Sequence, residues 1–216
     1  MHPRMTTSRI LSSVTVVLIA GLALVAVGTA RLARWEVLEV RDPARVRMSC
    51  GAWRPGGLQA GQEVGPTLID TGRDSELVLG LGDLLVLRMS PDASIDLPSS
   101  PARWFGRHST LRVLRGEIVL SSGDRALGRR LAIWTEAGMV LLDGADLVVR
   151  REEARVDVVL LRGAAELVTP DGVVHVLTGE IEIRLAEEAP SVTIPVDDRT
   201  RGLAGTLPRV GVIPGD

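Results

Sequence analysis

The first hydrophobic pattern in the chain is an uncharged stretch from Ile10 to Ala30. As a helix, these 21 residues would span about 30 Å, the thickness of the hydrocarbon core of a bilayer. Arg9 and Arg31 border the stretch, and Trp35 stands where an interfacial aromatic anchor belongs. We therefore expect one N-terminal transmembrane helix over residues 10–30, preceded by a short tail of residues 1–9.

A cleaved signal peptide is the alternative for this stretch, because Gly28 and Ala30 are small residues at cleavage spacing. The apolar run is, however, longer than the usual core of about 7–15 residues, and Arg31 would be a poor mature start. The positive-inside rule alone leaves the orientation of the helix undecided, because arginines flank both ends.

A second pattern runs from about residue 46 to residue 194. Short runs of Leu, Val and Ile recur every seven to twelve residues, separated by Gly, Asp, Ser or Pro. Several runs alternate apolar and charged positions, as Glu180–Leu185 does. The pattern predicts an all-β domain of many short strands, and its periodicity does not choose among a sandwich, a roll and a solenoid-like stack.

Turn-forming residues separate the predicted strands of this domain. Asp171–Gly172 after Pro170 predicts a hairpin, and Glu152–Glu153 predicts a second hairpin turn. Gly144 and Gly163 stand where a positive φ would be useful. Residues 31–45 carry many charges and predict a juxtamembrane linker, while the proline- and glycine-containing residues 195–216 predict a flexible tail.

The composition of the chain argues against several classes of function. The net charge is −2, so no cationic excess is available for nucleic acid. All the basic residues other than histidine are arginines, which excludes lysine Schiff-base chemistry. With a single cysteine the chain forms no internal disulfide, and the three histidines have no metal-ligand spacing. We find no candidate catalytic, cofactor-binding or metal-binding residues, and we expect a protein that is not an enzyme.

One segment has the composition of an interaction site. The longest interior loop contains Arg103, Trp104, Phe105 and Arg107. Aromatic residues and arginine are the commonest anchors of protein interfaces. The alternative is that Trp104 and Phe105 cap one end of the β-core.

The order of runs and turns resembles the FecR domain, a family found outside the cytoplasmic membrane of bacteria. The resemblance is carried by segments that recur in the family's order, namely Leu58–Gln62, Ile69–Gly72, Leu84–Leu97, Leu111–Glu117, Ile133–Val140, Val158–Leu167 and Leu177–Glu180. Thr135–Glu136 stands where the family has Thr-Pro, and Gly82–Asp83–Leu84 where it has Asp-Gly-Ser.

The resemblance implies a β-domain over residues 46–194 that lies in the periplasm or outside the cell. It also implies that the anchor lies in the inner (cytoplasmic) membrane and that residues 1–9 form a short cytoplasmic tail. FecR-type anti-sigma factors carry a sigma-binding domain before the membrane helix, and the residues before Ile10 are too few for one. We therefore expect binding, scaffolding or signal relay with a protein or envelope polymer as partner. The alternatives are a regulatory component of a sigma/anti-sigma system and, less in keeping with the residues, an enzyme. The oligomeric state stays open.

Overall fold

The computed structural model describes residues 34–49, 57–100, 109–123, 131–136, 138–153, 155–186, 189–194 and 198–204, together with residues 196 and 207. These residues are mostly β-structure, as the sequence predicts. The strands in chain order are β1 (Trp35–Arg41), β2 (Val46–Met48), β3 (Glu63–Val64), β4 (Thr67–Thr71), β5 (Glu76–Leu81), β6 (Leu85–Met89), β7 (Ser94–Leu97), β8 (Ser109–Ser122), β9 (Leu131–Thr135), β10 (Gly138–Glu152), β11 (Arg155–Val168), β12 (Val174–Thr178), β13 (Ile181–Ala186) and β14 (Ala189–Ile194). A 3₁₀ turn covers Pro43–Arg45, and one helix, α1, covers Asp198–Ala204.

These strands form one sheet that folds over into two layers. The first layer has the order β3, β1, β5, β6, second half of β8, second half of β10, first half of β11, β13 and β14. The second layer has the order β2, β4, β7, first half of β8, β9, first half of β10, second half of β11 and β12. The strands β8 and β9 pair in parallel, whereas the other recorded pairs are antiparallel.

The long strands β8, β10 and β11 pass from one layer to the other at glycines. Gly116 has a φ of 82°, and a Cβ there would lie 2.6 Å from the Cα of Ala93. Gly163 has a φ of 84°, and a Cβ there would lie 2.1 Å from the carbonyl oxygen of Gly144. Only glycine combines this backbone with such close approach. Runs that the sequence separates, such as Thr110–Leu114 and Glu117–Leu120, are therefore two halves of one bent strand.

The core lies between the two layers. Alternate residues of each strand point inward, so a row of leucines, valines and isoleucines from the first layer packs on a similar row from the second. Leu79, Leu87 and Leu120 from the first layer and Ile95 and Val113 from the second are fully buried in this one cluster. In strands with one open face, such as β4, the alternation seen in the sequence is thus the alternation between core and solvent.

Strand β1 corrects the predicted linker of residues 31–45. Trp35 and Val37 are buried in the core, and the Trp35 Nε1 group donates a hydrogen bond to the carbonyl oxygen of Pro98 at 3.0 Å. Trp35 is therefore a core residue and not an interfacial anchor. The charges of this segment conceal its alternation, because Glu36 and Glu39 lie on the solvent side. A register shift between Val37 and Glu39 leaves Leu38 partly exposed.

Helix α1 corrects part of the predicted flexible tail of residues 195–216. Val119, Val148 and Val159 are neighbours across three strands on the outer face of the first layer. Val196 and Leu203 cover them in a second, smaller apolar cluster. Arg150 joins the helix to the layer. The sequence did not predict this helix, because a helix of 7 residues is too short to show a clear helical period.

Among the residues that the structure describes, no helix is long and apolar enough to cross a membrane. The predicted membrane span, residues 10–30, lies outside the described residues, as do residues 1–9 and 31–33.

Candidate interaction surface

A row of seven side chains crosses the outer face of the second layer. Strand alternation places the first six outward, because their chain neighbours Ile69, Ile95, Val113, Ile133, Val140 and Leu167 are fully buried. The seventh, Val174, is itself 53% exposed. The pairing registers put the seven side by side, in the order Leu68, Asp96, Arg112, Trp134, Met139, Val168 and Val174. We call this set the tryptophan row. It begins with one aliphatic and two charged residues and ends in four large apolar ones.

Arg112 and Trp134 form the centre of the tryptophan row. The guanidinium carbon of Arg112 lies 4.4 Å from the centroid of the Trp134 ring. A guanidinium at this distance is attracted by the ring quadrupole and covers one ring face while its own edge stays free to donate hydrogen bonds. Arg112 is exposed and Trp134 is partly exposed. Both residues are of the types that most often dominate binding energy at protein interfaces.

Strand β12 forms the open edge beside the apolar end of the tryptophan row. Among the described strands, β12 pairs only with β11. Val174 is 53% exposed and Val176 is 69% exposed. An edge strand presents unpaired backbone N–H and C=O groups, which can pair with a strand from another chain. This edge therefore offers both backbone hydrogen bonds and an apolar surface.

The turn between β11 and β12 holds the edge strand in place. The Thr169 N–H donates to the carbonyl oxygen of Val173 at 2.9 Å, and the Gly172 N–H donates to the carbonyl oxygen of Thr169 at 2.9 Å. The Thr169 hydroxyl donates to the Asp171 carboxylate. That hydrogen bond lowers the pKa of Asp171 below its ordinary value. The exposed valines thus stand on a preorganised hairpin, so binding would order few additional residues.

The predicted interaction loop lies outside the described residues. Arg103, Trp104, Phe105 and Arg107 belong to residues 101–108. The chain on either side of that segment is held together, because the Ser109 hydroxyl donates to the carbonyl oxygen of Ser99 at 2.9 Å. Pro98 accepts the Trp35 hydrogen bond at the same end of the domain. The role of the loop stays a prediction.

Sequence reasoning missed the tryptophan row. Arg112 and Trp134 stand in strands whose parallel pairing is not readable from periodicity. One signal was present: each residue is the polar or bulky member between core residues, in Leu111–Val113 and in Ile133–Thr135. That alternation predicts outward side chains but not their adjacency. Within the described residues, no group of three or more His, Cys, Asp and Glu could hold a metal ion.

Comparison with known proteins identifies the family. Residues 67–166 match the family model described as FecR protein. This part of the chain is a FecR domain. It reaches from the start of β4 almost to the end of β11 and contains Arg112, Trp134 and Met139. Strand β12, with Val174, lies just beyond the matched FecR residues.

Solved structures share the fold. Two crystal structures of a proposed anti-sigma factor from Parabacteroides distasonis resemble this chain with a TM-score of 0.52, at 17% and 16% identity. The similarity covers 62% of this chain and 61% of the Parabacteroides chain. No curated protein matches the chain in sequence. At this level of identity, the comparison with solved structures shows a shared fold over the part of the chain that it covers.

Proposed function

We propose that the chain is a regulator in signalling across the bacterial inner membrane, and that it binds a protein partner through the tryptophan row and the edge of β12. The observation that carries the proposal is the partly exposed Arg112–Trp134 pair next to an open strand edge with exposed valines. Contiguous exposed apolar surface of this kind marks interaction sites on monomeric domains. The FecR match and the likeness to a proposed anti-sigma factor support regulation rather than catalysis.

In this proposal residues 10–30 anchor the chain, with residues 1–9 in the cytoplasm and the FecR domain in the periplasm or outside the cell. The length and apolarity of residues 10–30 support the anchor. Strand β1 begins at Trp35, so only residues 31–34 separate the anchor from the folded domain. So short a connection would hold the domain against the membrane surface and restrict its orientation.

Complementation of a deletion strain tests this function. The strain receives the unchanged chain, the Trp134→Ala variant or the Arg41→Ala variant, and transcript profiles are compared. Arg41 is the matched control because it is exposed at the end of β1, away from the tryptophan row. We expect Trp134→Ala to reproduce the deletion profile at normal protein level and Arg41→Ala to restore the original profile. Full complementation by Trp134→Ala would contradict the proposal.

A further inference from the structure

Four of the described strands have a single recorded neighbour and so form the edges of the two layers, namely β3, β14, β2 and β12. Three of these edges carry features that hinder pairing with another chain. Strand β3 has two residues, including the exposed Glu63, β2 has three, including the exposed Arg47, and β14 contains Pro190. Short length, charge and proline are the means by which natural edge strands avoid pairing. Strand β12, Val174–Thr178, has no proline and no Asp, Glu, Lys or Arg.

The turn before β12 determines which backbone groups of that strand face β11. The Thr169 N–H donates to the carbonyl oxygen of Val173 at 2.9 Å, so these two residues form a hydrogen-bonded pair across the turn. Hydrogen-bonded and non-hydrogen-bonded pairs alternate along an antiparallel ladder. In the register of β11 and β12, His175 and Leu177 are therefore the residues whose N–H and C=O groups bond to β11.

The other three residues of β12 direct their N–H and C=O groups to the open side of the strand. These residues are Val174, Val176 and Thr178, and no other strand of the described part of the chain pairs with them. Their side chains are also exposed, on the face of the second layer that carries the tryptophan row. One set of residues thus offers backbone hydrogen bonds and side-chain contacts to the same ligand.

We infer that the partner adds a β-strand to the open side of β12 and extends the second layer by one strand. The inference rests on the proposed function, because it specifies how the partner of the tryptophan row binds. The added strand is uncharged, since β12 has no charged side chain to compensate a charge buried against it. Its outward residues are β-branched or aromatic, which form favourable cross-strand pairs with Val174 and Val176. Backbone hydrogen bonds supply affinity, and the side chains supply selectivity.

The direction of β12 argues against a second copy of this chain as the occupant. Two identical edge strands related by a twofold axis pair antiparallel. Strand β12 ends at Thr178, which pairs with Ala164 beside the bend at Gly163, and the registers place this bend at the same end of the sheet as Trp35. Antiparallel self-pairing would put the two predicted anchors at opposite ends of the pair, which does not suit one membrane. The added strand therefore belongs to a different protein.

Proline substitutions test strand addition. Val176→Pro removes an N–H group on the open side and leaves the hydrogen bonds to β11 in place, a position where edge strands tolerate proline. Val176→Thr is the matched control, because it keeps both the N–H group and a β-branched side chain. His175→Pro removes an N–H group that bonds to β11 and so tests the assigned register. Circular dichroism melting of the full chain in detergent is measured for each variant, and a photoreactive residue at the exposed Thr178 reports adducts in cells.

We expect His175→Pro to lower the melting temperature by about 5–10 °C and the two Val176 variants to stay within about 3 °C of the unchanged chain. Val176→Pro should reduce the adduct about tenfold, the scale of one lost backbone hydrogen bond together with its desolvation. Val176→Thr should leave the adduct within about twofold.

Several results would overturn strand addition. These are the absence of any adduct, an adduct of twice the mass of the chain, equal adducts from Val176→Pro and Val176→Thr, and a melting temperature of Val176→Pro as low as that of His175→Pro. The proposed function is judged separately, by the transcript profile of Trp134→Ala. If Trp134→Ala reproduces the deletion profile while Val176→Pro retains the adduct, the proposed function stands and strand addition fails.

Discussion

The guanidinium carbon of Arg112 lies 4.4 Å from the ring centroid of Trp134. The two residues belong to β8 and β9, the one pair of described strands that run in parallel. Parallel neighbours carry side chains of the same face directly alongside one another, so the register of β8 and β9 fixes this contact. The pair separates the charged beginning of the tryptophan row from its apolar end. It is the structural basis for assigning this face to a partner.

The bend at Gly163 is predicted to be the most sensitive backbone position. Gly163→Ala would force a Cβ to within 2.1 Å of the Gly144 carbonyl oxygen at a φ of 84°. Urea unfolding should show a loss of more than about 2 kcal/mol. Gly65→Ala is the control, because nothing lies within 4 Å of a Cβ at that position. Similar stabilities of the two variants would argue against the close approach of Gly163 to Gly144 at this bend.

Trp35 is predicted to stabilise the domain from within. Trp35→Ala would remove a side chain that is 1% exposed together with its hydrogen bond to Pro98. Chemical unfolding should show a loss of about 3–5 kcal/mol. Arg41→Ala at the exposed end of the same strand should change stability by less than about 0.5 kcal/mol. An unchanged unfolding midpoint for Trp35→Ala would contradict the stabilising role of Trp35 in the core.

The docking of helix α1 onto the first layer should depend on the Glu117–Arg150 ion pair. Arg150 Nε lies 2.6 Å from Glu117 Oε2, and Arg150 Nη2 donates to Thr200 Oγ1 at 2.6 Å. Both charged side chains are about one-fifth exposed, so Glu117→Gln should weaken helix docking by about 1–2 kcal/mol. Hydrogen exchange across Asp198–Ala204 should accelerate about tenfold.

Glu180→Gln is the matched control for the helix. It breaks the Arg201–Glu180 pair, whose side chains are 47% and 51% exposed. Solvent screening makes such surface pairs weak, so exchange in α1 should change little. Equal acceleration in both variants would show that the partly buried pair has no special role.

The turn before β12 should loosen in acid. The pKa of Asp171 is lower in the folded chain than in the unfolded chain, because the Thr169 hydroxyl hydrogen-bonds to its carboxylate. The stabilisation that the ionised Asp171 carboxylate gives to the turn is therefore present above the unfolded pKa. It is lost as the pH falls below about 4. Amide exchange at Gly172 should rise in that range. Asp171→Asn should remove this pH dependence, and a dependence that persists in this variant would assign it to another group.

The strands could be predicted from sequence because their alternation reports burial on one face. What escaped prediction depends on contacts between distant segments. The runs of β8, β10 and β11 read as separate strands, since the bends at Gly116 and Gly163 resemble turns until the opposing backbone is known. Trp35 was hidden among charges that all lie on the solvent face of β1.

The candidate binding surface was harder to predict for the same reason. The tryptophan row depends on the registers of seven strands. It has no motif with fixed spacing, so composition indicated binding without indicating where.

Site-specific photocrosslinking in cells tests the central claim most directly. A photoreactive residue replaces Val174 in one strain and Leu38 in another; Leu38 is a matched position, 37% exposed, on the first layer. The account predicts one discrete crosslinked protein from position 174, its loss when Arg112→Ala is added, and no such product from position 38. Equal products from positions 174 and 38, or a product from 174 that is indifferent to Arg112→Ala, would contradict the assignment of the tryptophan row as the partner surface.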